Sequence, residues 1–206
     1  MVQPAVLLWF LAAGALSALL SACAVPPVVE RGAQEQASLW AARIGRLQHV
    51  TRWRMEARVA VRQGDEGWQA SLHWVQLGSR TRIELFDPVG RRVARLDGDA
   101  SGVRLVARGQ PARWARSPEA LMQAVLGWSL PVEGMRWWLL GVPDPALPVA
   151  ALELDGQGRA RRFSQAGWEL RYRQYERWDG EDLPVRAEFS QASLRVRVLV
   201  TSWSLS

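Results

Sequence analysis

From Arg52 to Arg62 the chain alternates almost without a break. Trp53, Met55, Ala57, Val59 and Val61 stand at odd positions, and Arg52, Arg54, Glu56, Arg58 and Arg62 at even ones. A period of two fits only a strand, because successive β side chains point to opposite faces, and it gives one face to a core and the other to water. Gln63-Gly64-Asp65-Glu66 turns the chain, and Trp68, Ala70, Leu72 and Trp74 fall on one face of a second strand. Thr81, Ile83 and Leu85 mark a third, which Asp87-Pro88-Val89-Gly90 breaks. Arg92, Ala94 and Leu96 begin a fourth, and Val103, Leu105 and Ala107 a fifth.

The alternation returns in the last third of the chain. Leu152 and Leu154, Ala160 to Gln165, then Trp168, Leu170 and Tyr172 read as strands, followed by Val185, Ala187 and Phe189, and by Leu194, Val196, Val198 and Val200. Asp155-Gly156-Gln157-Gly158, Ala166-Gly167 and Asp179-Gly180 supply the turns between them. Three segments have helical spacing instead. Gln34 to Leu47 sets Ala37, Leu39, Trp40, Ile44 and Leu47 on one stripe, which serves as a lid or as plain cover for the core. Ser117-Pro118-Glu119 opens a second helix as cap, first-turn proline and dipole-facing acid. Leu121, Met122, Val125 and Leu126 are its stripe, and Gly127 is its stop. Met135 to Leu140 is a short apolar helix ended by Gly141, after which Pro143, Pro145 and Pro148 hold an extended connection.

The fold class is therefore mainly β with a few helices (α+β). About nine to eleven antiparallel strands with one apolar face make a single sheet, which must curl when so wide. Helices cover its concave side, and the result is an unclosed barrel. A space between sheet and helices would suit an acyl chain, while a fully packed core gives the same pattern.

The N-terminus names a compartment. Val6 to Leu20 is almost wholly apolar, long enough for the core of a signal peptide and short for a bilayer crossing. Leu20-Ser21-Ala22-Cys23 matches the bacterial lipobox, so residues 1–22 read as a lipoprotein signal peptide and Cys23 as the lipid anchor. One acyl chain anchors only marginally, whereas three hold essentially permanently. Met1-Val2-Gln3-Pro4 lacks the usual positive charge. Ala24, standing where Asp would signal retention in the inner membrane, directs the protein to the outer membrane, on its periplasmic side. Residues 23–33, with Pro26-Pro27, make a lipidated tether, and 34–206 one domain. Cys23 is the only cysteine, so no disulfide or thiolate metal site holds that domain.

All 26 basic residues are Arg, and the net charge is +6. That excess favours an anionic lipid surface or an acidic protein partner, and a periplasmic address argues against nucleic acid. Enzymatic signatures are missing. His49 and His73 do not make a metal pair, His73 facing away from the apolar side of its strand. Gly-x-Ser-x-Gly, P-loop and dinucleotide motifs are absent, and Asp97, Asp99, Asp179 and Asp182 sit in turn-like contexts. No cofactor and no enzyme activity are expected.

Several stretches in order resemble a known family. They are Trp68 to Trp74 with Gln76, Asp87-Pro88-Val89-Gly90, and Gly127-Trp128-Ser129-Leu130-Pro131-Val132 followed by Trp137-Trp138-Leu139-Leu140-Gly141. Gln165-Ala166-Gly167-Trp168, Tyr172, Tyr175, Pro184 and Val198 to Trp203 complete the series. Together they resemble LolB, the outer-membrane lipoprotein receptor family. The resemblance implies an unclosed β-barrel of about 11 strands capped by about three helices over a hydrophobic cavity. It implies a receptor that accepts the acylated N-termini of other lipoproteins from the periplasmic carrier LolA and inserts them into outer-membrane phospholipid. It also implies an exposed loop that enters the bilayer, here Pro88, Val89 and Gly90, with Val89 at a tip where the family usually has Leu. Inward-face candidates for the cavity are Trp53, Met55, Val59, Trp68, Leu72, Trp74, Ile83, Leu85, Leu105 and Trp168, with Leu126, Trp137 and Leu140 from the helices. A monomer is expected. A lipoprotein binding another amphiphile, such as a glycolipid or lipopolysaccharide, and a structural envelope lipoprotein remain open on the residues alone.

Overall fold

The computed structural model describes residues 29–126 and 131–206, with side chains from 32 to 122 and from 131 onward. Cys23, most of the predicted tether, residues 127–130 and the Leu126 side chain lie outside the described residues. Gln34–Ser206 forms one compact unit.

Helix α1 is Val29–Leu47, and its register differs from the predicted stripe. Trp40 and Leu47 are buried, but Leu39 is 43% exposed and the third buried position belongs to Arg43. A cation can be buried there because one end of its guanidinium is bonded and the ring of Tyr175 lies beside it, although its Nε has no partner. The Arg43 guanidinium donates to the carbonyls of Leu140 at 3.1 Å and Asp182 at 2.6 Å, and lies 5.3 Å from the centre of the Tyr175 ring. Apolar spacing alone cannot find a buried arginine.

Strands β1 Arg52–Gln63, β2 Glu66–Leu77, β3 Arg80–Phe86, β4 Arg92–Asp99, β5 Gly102–Ala107 and β6 Arg113–Ala115 form a meander. Helices α2 Pro118–Leu126 and α3 Val132–Trp138 follow. A second meander then runs through β7 Ala150–Leu154, β8 Ala160–Gln165, β9 Trp168–Trp178, β10 Glu181–Gln191 and β11 Leu194–Leu205. The order β6-β5-β4-β3-β2-β1-β11-β10-β9-β8-β7 makes one antiparallel sheet whose outer strands, β6 and β7, do not pair with each other. Among the described residues this is an unclosed barrel of eleven strands with three helices. The meanders join where the first strand pairs the last, from Trp53 opposite Leu205 to Gln63 opposite Leu194. In β1 the alternation appears as burial: Trp53, Met55, Ala57, Val59 and Val61 are buried, and Arg52, Arg54, Glu56, Arg58 and Arg62 exposed.

Several sequence expectations are corrected in detail. Asp97, Asp99 and Asp182 lie within strands rather than turns, and Asp179 alone of the four is in a turn. Cross-strand arginines pair with Asp97 and Asp182, Arg82 on the first and Arg177 beside the second, and Arg95 of the same strand also binds Asp97. Strand β6 has too few residues to show alternation. Pro184 sits inside β10, where its missing N–H does no harm because the ladder to β11 begins at Arg186 and the register to β9 shifts at that point. Its carbonyl accepts the Trp203 indole N–H at 3.1 Å.

The half of the sheet from β11 to β7 is packed solid. Trp138, fully buried, lies 6.1 Å from the Trp168 ring and 6.0 Å from that of Phe189. Phe163, Leu170, Tyr172 and Leu183 fill the layer beneath, and the Tyr172 hydroxyl donates to the Trp138 carbonyl at 2.8 Å. Burial pushes the Tyr172 hydroxyl's pKa far up, so it stays a protonated donor. Gly141 then turns the chain with φ +77°, and a Cβ there would stand 2.9 Å from Pro184 Cγ and 3.1 Å from the Tyr175 hydroxyl. We expect Gly141→Ala to lower unfolding free energy by about 2–3 kcal/mol, from left-handed strain plus displaced neighbours, read as a lower urea midpoint.

Candidate functional site

The other half of the sheet is not filled. Between strands β1 to β5 and the helices lies a cavity of about 420 Å³. Val59 and Val61 of β1, Trp68, Leu72 and Trp74 of β2, and Ile83 and Leu85 of β3 form one wall. Val93, Ala94 and Leu96 of β4 and Leu105 and Ala107 of β5 continue it, and Val196 of β11 joins from the far side of β1. Met122 of α2 and Val132 and Met135 of α3 close the cavity from above. Every described lining residue is apolar. Its size lies in the roughly 300–1,000 Å³ range of ligand pockets, and its described lining suits an apolar chain.

The space exists because two small residues meet on its floor. Ala94 pairs with Ala107 across β4 and β5 and with Leu85 across β3, so two neighbouring inward positions carry only methyl groups. The Trp74 indole N–H is satisfied by Gln76 Oε1 at 3.2 Å, and the Gln76 amide in turn donates to the Gly78 carbonyl at 2.8 Å. Trp74 thus presents only its hydrocarbon to the space. Trp68, at 39% exposure, stands at the end of the wall towards the β1–β2 turn.

Seven of the sequence candidates line this cavity: Val59, Trp68, Leu72, Trp74, Ile83, Leu85 and Leu105. Five others are placed in the packed core instead. Trp53 is wedged between Trp74 and Trp203, with ring centres 5.5 and 5.4 Å away, and Met55 is 1% exposed beside it. Trp168 packs on Trp138, Leu140 is fully buried, and Trp137 carries the Arg136 guanidinium 4.7 Å from its ring centre. They share the apolar face, but the Trp137–Trp138 end of α3 packs over this part of the sheet, the start of β1 included, while Val132 and Met135 of the same helix face the cavity. Val61, Ala94, Leu96, Met122 and Met135 lay on the faces and stripes the sequence marked, so their position was within reach of the alternation. Val196 was on a marked face too, but its place beside β1 depends on the pairing of the first strand with the last, and Val93 and Val132 were on no marked face.

The turn between β3 and β4 is built by its first residue. Asp87 Oδ1 accepts the backbone N–H of Val89 at 3.1 Å and of Arg91 at 2.9 Å, and Oδ2 accepts the Arg91 guanidinium at 2.8 Å. The Arg91 N–H, with its side chain and the Val89 N–H, holds the Asp87 carboxyl below the usual carboxylate range. Gly90 follows with φ +81°. Val89 is left 72% exposed at the tip.

A second turn of the same construction shows that an apolar tip is not a structural requirement. In Asp155-Gly156-Gln157-Gly158-Arg159, Asp155 Oδ1 accepts the N–H of Gln157 at 2.9 Å and of Arg159 at 3.0 Å, and Oδ2 accepts the Arg159 guanidinium at 2.8 Å. There the tip residues are Gly and Gln, and Gly158 packs against Leu39 of α1. The β3–β4 turn has the same hydrogen bonds with Pro88-Val89 pointing away from the core. His73 rests against the Phe86 ring, 4.7 Å between centres, and His49 Nδ1 lies 2.6 Å from the Gly45 carbonyl; both are remote from the cavity lining.

The family model for outer membrane lipoprotein LolB matches residues 51–203. An outer-membrane lipoprotein LolB from Alkalilimnicola ehrlichii is 36% identical over 198 residues, covering 95% of this chain and 96% of the relative. One from Nitrosococcus oceani is 37% identical over 166 residues, covering 81% and 83%. Among solved structures, a DUF1329 family protein from Desulfovibrio piger superposes with a TM-score of 0.54 at 10% identity, over 84% of this chain and 92% of that one. A LolA superfamily protein from Nitrosomonas europaea superposes with a TM-score of 0.53 at 8% identity, over 83% and 93%. At such identity these two structures speak for the fold alone.

Proposed function

Because this chain belongs to the LolB family of outer-membrane lipoproteins, we propose that it takes the acylated N-terminus of another lipoprotein from the carrier LolA and releases it into the outer membrane. The observation that carries this reading is the all-apolar space over β1 to β5, set in a sheet whose other half is solid. Its described lining is hydrocarbon, Met sulfur and indole, which suits binding. An acyl chain forfeits roughly 0.8 kcal/mol for each methylene exposed to water, so it stays in a wall of Trp, Leu, Ile and Val, and a tighter grip than the carrier's drives acceptance.

Cys23 is the anchor in this reading, with residues 1–22 removed as a signal peptide and 23–33 as the tether. The protein works as a monomer beside outer-membrane phospholipid. Its arginine-rich outward face steers an acidic carrier towards it, an effect on rate that added salt weakens. The Val89 tip enters the bilayer during release.

The test is a transfer assay. A soluble form beginning after Cys23 is mixed with LolA carrying a radiolabelled lipoprotein, and liposomes are added second. Val89→Glu is expected to take up label as the parent does, while delivery to liposomes falls about tenfold or more, because a carboxylate resists entry into the bilayer. If no label leaves a LolA of the same organism, the receptor reading is wrong and an amphiphile-binding role replaces it.

A further inference from the structure

Between Asp99 and Glu119 the chain has no acidic residue and four arginines, Arg104, Arg108, Arg113 and Arg116. The fold places them on or next to the hairpin of β5 and β6, at a free edge of the sheet. The Arg108 N–H donates to the Val93 carbonyl at 2.9 Å, which sets the hairpin tip beside the first residues of β4, where the Val89 turn ends. Strand directions alternate along the sheet, so residues 87–91 and 108–112 lie at the same end of it.

The electrostatic state of these arginines differs from that of their neighbours. Arg91 and Arg92 are neutralised by Asp87 and Glu84, both at 2.8 Å. Among the described residues, Arg108, Arg113 and Arg116 have no carboxylate within ion-pair distance. Arg104 has only an aromatic face, its guanidinium lying 5.6 Å from the ring centre of Trp114. Asp97 and Asp99 share an outward groove with Trp114, but Arg82 and Arg95 engage the first and Ser101 the second. Trp114 itself is 71% exposed, so it serves no core.

An exposed indole among unpaired guanidinium groups has the chemistry of a membrane–water interface. Trp settles at headgroup level, and guanidinium grips phosphate through paired N–H donors. We propose that the β5–β6 hairpin is a contact for anionic phospholipid, its free edge bringing Arg108 of the turn, Arg113 opposite Leu105 and Arg116 after β6 to headgroup phosphates, with Trp114 on the Arg104 face of the same edge. The proposal rests on the reading of Val89 as a bilayer-entering tip and gives that tip a cationic neighbour. A salt-sensitive grip on anionic lipid then holds the cavity's open half at the surface that receives the cargo.

The test uses the full membrane-anchored protein with an environment-sensitive fluorescent amino acid at Gln110, or, in a second preparation, at Val89. Vesicles are phosphatidylcholine alone or equal parts phosphatidylcholine and phosphatidylglycerol. The Gln110 label is expected to shift to the blue only in the anionic vesicles. High salt reverses the shift, and soluble inorganic phosphate at matched ionic strength leaves it in place, which separates a lipid headgroup from a free anion. Arg108→Gln, Arg113→Gln and Arg116→Gln each weaken the association about five-fold. If the Val89 label enters the bilayer but the Gln110 label reads the same in both vesicles, the hairpin proposal is overturned and the tip survives. If neither label leaves water, both fall. If the three Gln variants slow uptake from loaded LolA while the Gln110 shift is unchanged, the hairpin docks the carrier protein, and the lipid proposal is again overturned.

Discussion

Filling the floor of the cavity with Ala94→Phe and Ala107→Phe is expected to cut acyl-chain uptake from a loaded carrier at least tenfold, while the urea midpoint stays level or rises. The two methyl groups are neighbours across β4 and β5 and leave part of a space of about 420 Å³ open beneath α2 and α3. Two aromatic rings directed into that space remove apolar surface from water and compete with the ligand for it. The stability readout decides the matter. In a closed core, overpacking costs about 1–3 kcal/mol through forced rotamers and backbone shifts. In an open cavity the same atoms replace a void, and filling it is worth up to about 1 kcal/mol. Uptake lost with stability kept therefore marks a binding space. Loss of both would mean that the region is packed in solution, and the structural-lipoprotein reading would then return.

The second large effect concerns Gln165, 2% exposed, every hydrogen-bonding position of whose side chain is used. Its Oε1 accepts the Trp138 indole N–H at 2.7 Å and the Asp144 N–H at 2.9 Å. Its amide donates to the carbonyls of Asp144 and Leu147, both at 2.9 Å. One side chain thus ties α3 and the proline-held connection after it to the end of β8. Gln165→Leu keeps the volume but strands partners on three residues, and we expect it to lower unfolding free energy by about 3–5 kcal/mol. Gln165→Glu gives a diagnostic contrast. It can still accept from Trp138 and Asp144, but a carboxylate then faces two carbonyls, so its loss should deepen as pH rises through the carboxylate range. Equal losses for Leu and Glu at every pH would show that the network carries no such weight.

These two sites divide differently between sequence and fold. Gln165 gave only a weak local signal, the end of a short strand before Ala166-Gly167, and nothing in its neighbours pointed to Trp138, which is 27 positions away. The same is true of Arg43, whose acceptors are on Leu140 and Asp182. Val89 is the opposite case. Asp87-Pro88-Val89-Gly90 is a turn by local chemistry alone, since every hydrogen bond that shapes it stays within residues 87–91.

By itself the sequence determined the strands of both meanders except the three-residue β6, the inward identity of each alternating face, the two main turns and the composition of an apolar wall. Period, turn residues and side-chain class are short-range properties, and they suffice for these. Only the tertiary structure decided that β1 pairs with β11, that β6 and β7 stay apart, and that the Trp137–Trp138 end of α3 packs over one part of the sheet. The sequence made Trp53, Trp168 and Trp74 equal candidates for a ligand wall. Where the helix came to rest made the first two core and left Trp74 facing a cavity, because a void is set by what fails to arrive over a surface, and no single strand records that.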